Sequence, residues 1–373
     1  MANKSGNSLV SDLRTELNKA AKENIAYDLH GDNPTDVKTW ISTGSTLLDY
    51  IISNRRDGGI PVGKLTTIAG ESASGKSLIV TQILANTQKM GGVAVYIDTE
   101  NAASPDFMEQ LGLDTKNNFL YVQPGTIEEV FETIERLIGR LREKAPDKLV
   151  CIVWDSVAGT PVKAEVEGDY DPNSRIGLTA KALAKGMRKV TETLGKEQIA
   201  MVFTNQLKTN ITNRPAEALT TPYVTPGGKA MIYAYSLRVW LTGRKAKAAY
   251  ITDESGFRIG SEVKVKLEKS RFGTQGRQCN FKILWGTDDI GVQDDQSLFE
   301  AIKGSKYMTS SGAWYSLEMG DGKVEKFQPS KWEQKMADPA FKQRVYDVMD
   351  EEVIQKFDQR LGKAEDFYEE KDE

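Results

Sequence analysis

The sequence predicts an α/β fold: a mainly parallel central sheet with antiparallel strands at its edge, a short N-terminal helical segment and a small C-terminal domain. Three observations carry this. From about Ile41 to Phe203 short apolar runs alternate with helical patterns, as parallel strands covered by helices on both faces require. Beyond Gly228 strand follows strand, as in antiparallel additions to a sheet edge. The length, 373 residues, allows one large domain with small attachments at about 150 residues per domain.

The elements follow in chain order. The first 40 or so residues read as a polar amphipathic helix with Leu9, Leu13, Leu17 and Ala21 at helical spacing, then a loop, LHGDNPTD. This segment, 1–41, is too short for its own core and is expected to dock on the body or on another subunit. The strand LTTIA (65–69) leads into Gly70 and a helix over 77–89. VAVYID (93–98) and FLYV (119–122) are the next strands. Between Thr126 and Lys144 apolar residues recur at steps of three and four behind a Thr126/Glu129 capping signature. LVCIVW (149–154), a helix over 178–194 and IAMVF (199–203) continue the alternation. YSLRVWL (235–241), SEVKVKLE (261–268) and CNFKILW (279–285) are the added strands. The core is thus expected over 42–290, and 291–373 is expected to be a small, helical C-terminal domain ending in an acidic tail.

Composition narrows the chemistry. Apolar residues are 39% and charged residues 27% of the chain, and no apolar run approaches the roughly 20 residues of a spanning helix. The N-terminus lacks the apolar stretch of a secretory signal, so an intracellular, cytoplasmic protein with no membrane partner is expected. Cys151 and Cys279 each lie in an apolar strand and read as buried thiols. His30, the single histidine, reads as a solvated loop residue and leaves no room for a Cys/His zinc cluster. The net charge is −4, and residues 363–373, with two Lys against six Asp/Glu, hold all of it. That tail is either a solubilising end or a competitor with a polyanion for the protein's own basic surface.

Gly70-Glu71-Ser72-Ala73-Ser74-Gly75-Lys76-Ser77 matches the P-loop pattern. Its glycines let backbone N–H groups wrap phosphates at a helix N-terminus, Lys76 reaches the β and γ phosphates, and the Ser77 hydroxyl ligates Mg²⁺. Asp155 ends the strand 149–154 at the carboxyl edge, where it would hold Mg²⁺ directly or through water, with Ser156 beside it. Glu100, two residues past VAVYID, is placed either to deprotonate an attacking water or to serve as a surface or capping glutamate. The polar stretch 207–229 is too long for an idle loop, and its Lys208, Arg214 and Lys229 face only Glu217 in opposition. Such a loop suits sequence-independent contact with a phosphate backbone. The 165–177 segment is more acidic, so contact there would rely on Arg175, backbone amides or Ile176.

The order P-loop, YIDTENAASP, VWDSVAGTPVKAEVEG, IGLTAKALAKGMRK, FTNQ, TPGGKA and VKVKLEKSR resembles the RecA family of homologous-recombination ATPases, bacterial RecA and the bacteriophage UvsX-type recombinases in particular. The likeness runs from about Ser42 to Gly291. It implies a RecA-like core using ATP and Mg²⁺, with DNA-dependent hydrolysis and strand exchange. The partners implied are single-stranded DNA, homologous double-stranded DNA, further copies of the chain in a helical filament, a recombination mediator and a single-strand-binding protein. The cell implied is bacterial, with the chain host- or phage-encoded. By resemblance Glu100 is the catalytic base, Phe107 stacks on adenine or remains a core residue, and Gln206 senses the γ-phosphate. Segments 165–177 and 207–226 are the DNA-binding loops, with Ile176 and Ile211 wedging between base triplets. Lys181, Arg188, Gly227 and Gly228 align with residues on the single-strand backbone. Lys269 and Arg271 align with cations that reach a neighbour's ATP. The sequence departs from bacterial RecA at Glu71, in place of proline, and at Asn101, in place of histidine. A ring-forming helicase and an ATP-gated scaffold are the competing classes.

Overall fold

The structure is a computed structural model that describes residues 4–31, 33, 35–168, 177–211, 222–243, 249–286, 288–320 and 322–354. It divides into two units, 1–38 and 39–373. In the first, a helix spans Lys4–Ala21 and the chain turns back beyond it. The Asn18 side chain fixes that turn, accepting from the Ile25 and Ala26 N–H groups at 2.9 and 2.8 Å and donating to the Ala26 carbonyl at 3.0 Å. His30 lies exposed in the following loop.

The second unit is built on one large sheet. From one edge its strands run Gly291–Gln293, Gln278–Leu284, Arg258–Ser270, Leu237–Gly243, Leu65–Gly70, Ile199–Gln206, Val150–Asp155, Val93–Asp98 and Phe119–Val122, with Tyr250–Thr252 attached to Arg258–Ser270. The strands Leu65–Gly70, Ile199–Gln206, Val150–Asp155 and Val93–Asp98 are almost wholly buried, which is why they read as continuous apolar runs. Helices Lys76–Lys89, on one side, and Ile127–Lys144 with Leu178–Lys196, on the other, belong to two separate apolar clusters against these strands. Cys151 and Cys279 are buried free thiols, and burial pushes the Cys151 thiol up to about 12. At the start of Ile127–Lys144 the Thr126 hydroxyl accepts from the Glu129 N–H. The Glu129 carboxylate reaches one residue further than a capping box predicts, to the Gly125 N–H at 2.7 Å.

Two expectations need correction. Leu237–Gly243 is not an antiparallel edge strand: it runs parallel to Leu65–Gly70, well inside the sheet. A parallel partner needs a crossover of a dozen or more residues, and the chain from Leu207 through the helix Gly228–Ala234 provides one. The region beyond Gly291 is not purely helical. Gly291–Gln293 completes the large sheet, and three antiparallel strands, Met308–Ser311, Trp314–Glu318 and Val324–Phe327, pack with helices Asp294–Ile302 and Pro339–Glu352 around Phe327, Trp332 and Phe341. Tyr50 from the helix Thr46–Ser53 belongs to this same cluster, and its hydroxyl donates to Asp350 at 2.6 Å. Arg56 pairs with Asp347 and Asp350 at 2.8 and 2.7 Å beside it.

Candidate active site and nucleic-acid interface

Gly70 ends a buried strand, and the next five residues form a turn into the helix Lys76–Lys89. Two positions in it admit only glycine. A Cβ on Gly70 would sit 2.2 Å from Ser74 Oγ and 2.8 Å from the Leu241 carbonyl oxygen, while Gly75 has φ +90° and would press Ile283 Cδ1 at 2.7 Å. Ala73 also takes a left-handed conformation, φ +58°, and such alternation is how backbone N–H nests for anions are made. Lys76 Nζ donates to the carbonyls of Gly70 and Glu71 at 3.2 and 2.8 Å, which holds the ammonium at the loop. Burial pulls its pKa below the usual lysine range, against the opposing pull of Asp155 and Glu100. Glu71 and Ser72 complete the loop, on its outer, more accessible side.

Asp155 gathers three hydroxyls. Ser77 and Tyr96 donate to its Oδ2 at 2.8 and 2.7 Å, and Thr204 donates to its Oδ1. A carboxylate has about four acceptor positions, so little capacity remains for a direct metal bond. The donor set fits Mg²⁺ held chiefly through water and phosphate: Ser77 and Asp155 offer oxygen only, and the described residues contain no group of three or more His, Cys, Asp or Glu able to hold a metal by themselves.

Asp98 lies level with Asp155 on the neighbouring strand, and Glu100 follows two residues on. The Glu100 carboxylate is exposed and accepts a hydrogen bond from Ser156. Gly159 leaves room for it, since a Cβ there would lie 3.1 Å from Glu100 Cγ. Lys76 and Ser77, Asp155 and Glu100 therefore stand at the carboxyl ends of three parallel strands, with Ile199–Gln206 between the first and the second. Gln206 stands beside Gly70 on the next strand, and the Leu207 N–H donates to the Gly70 carbonyl at 3.1 Å.

A cavity of about 430 Å³ opens beside the loop, lined by Ser74, Lys76, Leu78, Phe107, Ile283 and Trp285 among others. Phe107 packs against the core and also forms one wall of this cavity. Trp285 and Ile283 were invisible as site residues because they come from a strand more than 200 positions beyond the P-loop. The Arg258 guanidinium lies over the Trp285 ring at 5.1 Å and over Tyr250 at 3.9 Å. Tyr96 and Thr204 were also missed; an isolated hydroxyl inside an apolar strand is the only signal either leaves.

Lys269 and Arg271 are not in this group. Lys269 pairs with Arg238, which pairs with Thr67, so it lies two strands from the P-loop strand and about 10 Å below Gly70 at 3.3 Å per residue. Its Nζ donates to the Ile232 and Tyr233 carbonyls at 2.8 and 3.1 Å, and Arg271 donates to Tyr233 at 2.9 Å. Burial, with Arg271 and Arg238 nearby, holds the Lys269 pKa below the usual range.

On another face the N-terminal ends of Leu178–Lys196 and Gly228–Ala234 meet. A Cβ on Gly228 would lie 3.2 Å from Ala180, and one on Gly227 3.2 Å from Leu183. Lys181 is exposed beside this junction, with Arg188 exposed two turns along the same helix face. Lys208–Thr209 pairs with Tyr223–Val224, and Asn205 Nδ2 donates to the Pro226 carbonyl at 3.1 Å. These bonds close the base of the 207–226 segment, and Ile211 is 95% exposed above it. Arg175, Ile176, Arg214 and the acidic tail 363–373 lie outside the described residues. No helix among the described residues is long and apolar enough to cross a membrane.

Comparison with known proteins gives the family. The RecA N-terminal domain family matches residues 11–290, a span that starts well before Ser42 and takes in most of the N-terminal helix. Protein RecA of Symbiobacterium thermophilum is 35% identical over 288 residues, 76% of this chain and 76% of its own length. Protein RecA of Colwellia psychrerythraea is 35% identical over 298 residues, 79% of each, and that of Clostridium novyi 34% over 312 residues, 83% of this chain and 82% of its own. With a family model matched over three-quarters of its length and relatives of 34 to 35% identity over as much, the chain belongs to the RecA family.

Proposed function

We propose that this chain is an ATP-dependent strand-exchange recombinase, which forms filaments on single-stranded DNA and pairs it with homologous duplex. Membership of the RecA family brings the general role, recombination and repair of DNA by an ATPase that uses ATP and Mg²⁺. The observation that carries the finer reading is the adjacency of Gly70 and Gln206. The loop suited to the phosphates is hydrogen-bonded to the first residue of the long segment suited to DNA, so a shift at the γ-phosphate is passed on within one bond.

In this mechanism the P-loop amides and Lys76 hold the phosphates, and Phe107 and Trp285 flank the base. Ser77, with Asp155 behind it, would hold Mg²⁺, which when bound would supply charge neutralisation at the phosphates. Glu100 takes the proton of the attacking water. Lys269 and Arg271 act on the nucleotide of the next copy, and the N-terminal segment 1–41 contributes to subunit contact. Lys181, Arg188, Lys208, Arg214, Arg175 and the backbone at Gly227 and Gly228 bind DNA phosphates, with Ile176 and Ile211 as apolar wedges. Phosphate contacts of this kind read no sequence, as homology search over arbitrary DNA demands. We propose the same division into 1–41, a core over 42–290 and a C-terminal domain over 291–373. The relatives compared are bacterial, and the bacteriophage side of the resemblance gains nothing from them.

Electron microscopy of the full chain with single-stranded DNA and ATP tests the reading. Extended filaments are expected, and Lys76→Ala is expected to abolish their nucleotide-dependent extension. Rings, or no assembly at all, would point instead to the helicase or scaffold class.

A further inference from the structure

The turn that carries Glu100 is held from a strand that contributes nothing to the phosphate loop. Asp98, 2% exposed, is the post on which it hangs. Its Oδ1 accepts from the Glu100 N–H at 2.9 Å, and its Oδ2 accepts from the Ala103 N–H at 3.1 Å and the Tyr121 hydroxyl at 2.8 Å. Tyr121 belongs to Phe119–Val122, the last strand of the sheet on this side among the described residues. Just beyond that strand Gln123 Nε2 donates to Asn101 Oδ1 at 2.7 Å. Asn101 has φ +53°, a left-handed conformation that asparagine adopts more readily than most side chains and that turns the chain here. One side chain from the outer strand and one from just beyond its end thus brace the turn on both sides of Glu100.

The Tyr121 ring also lies parallel to that of Tyr96, with centroids 6.4 Å apart and planes within 18°. The Tyr96 hydroxyl donates to Asp155. One stacked pair therefore delivers one hydroxyl to the carboxylate behind Glu100 and one to the carboxylate behind Ser77. Tyr121 is 40% exposed, so water could satisfy its hydroxyl. Its direction onto Asp98 serves the carboxylate more than the tyrosine, because a buried carboxylate short of donors changes rotamer or draws in water.

We propose that Tyr121 is a positioning residue for Glu100: its hydroxyl locks the Asp98 carboxylate that pins the Glu100 turn, with Gln123 as the second brace. The inference rests on the reading of Glu100 as the base. A base displaced by a fraction of an ångström from its water loses rate without losing affinity for the nucleotide. Tyr121 therefore belongs to kcat and not to binding.

The experiment measures DNA-stimulated ATP hydrolysis and, by calorimetry, ADP binding for the full chain carrying Tyr121→Phe, Gln123→Ala, Glu100→Gln, and Tyr121→Phe combined with Glu100→Gln. Tyr121→Phe keeps the ring and its stacking. It is expected to lower kcat by about three- to tenfold, the net effect of one ordinary hydrogen bond because the lost contact acts on Glu100 only through Asp98, with KM and ADP affinity within about twofold of the parent. Gln123→Ala is expected to give the same pattern, more weakly. In the Glu100→Gln background Tyr121→Phe should have no further effect, since two residues acting through one step are not additive. An unchanged kcat in both single variants would overturn the proposal. So would a loss in Tyr121→Phe that persists at full size without Glu100, or that falls on ADP affinity instead. If Glu100→Gln alone hydrolyses ATP at the parental rate, the base reading itself fails and this inference with it.

Discussion

The two ends of the central sheet are furnished differently. At the carboxyl ends of the parallel strands, Lys76, Ser77, Asp155 and Glu100 converge on one place, tied by hydroxyl-to-carboxylate bonds. Toward the opposite end, Lys269 and Arg271 sit together and, among the described residues, their side chains donate to the carbonyls of Ile232 and Tyr233, at the end of a helix of the same chain. The first end has the P-loop, the Glu100 carboxylate and the cavity walled by Phe107 and Trp285. The second has concentrated positive charge, with Arg238 close enough to depress the Lys269 pKa. Each end holds what the other lacks. Under the function proposed above, one copy's cations meet another copy's phosphates, which would make hydrolysis and assembly one event.

Removing the base should sharpen this contrast most. Glu100→Gln leaves the cradle intact, so ATP binding and DNA affinity should persist while steady-state hydrolysis falls by about 10²-fold. A parental rate would return Glu100 to the role of a surface glutamate. The second test attacks the far end. Lys269→Ala should lower hydrolysis on DNA by roughly thirtyfold, less than the loss of the base because Arg271 remains beside it. ATP binding by the isolated chain should be spared. Mixing the Lys269→Ala and Glu100→Gln chains should restore part of the activity, because some interfaces then join an intact Glu100 to an intact Lys269. Mixed filaments with no rescue would place the action of Lys269 within its own chain. The smallest effect is expected in the cavity. Trp285→Ala removes one aromatic wall and should weaken nucleotide affinity about five- to tenfold, with little change in kcat. Equal affinities for the parent and variant would remove Trp285 from the base site.

Much of the near end was legible in the chain. The P-loop is contiguous, its chemistry depends on backbone amides and two adjacent side chains, and Asp155 and Glu100 close apolar runs whose direction is implied by the α/β alternation. The parallel placement of Leu237–Gly243 was not legible. An apolar strand has the same local pattern in either direction, and only the crossover through Gly228–Ala234 sets its sense. The C-terminal strands Met308–Ser311 and Val324–Phe327 were overlooked for a related reason: four residues are too few for a period to register.

What the sequence determined by itself, then, is whatever is carried by neighbours along the chain: the phosphate loop, the strand-helix order, the cap at Thr126 and the buried character of both cysteines. What the tertiary structure alone decided is which distant residues share a carboxylate or a wall. Tyr96 and Thr204 reach Asp155 from two different strands, Tyr121 reaches Asp98, and Trp285 closes a cavity begun at Ser74. Backbone geometry is local and leaves a local trace. Hydrogen bonds and packing between strands depend on register and sheet order, which no short window of sequence contains.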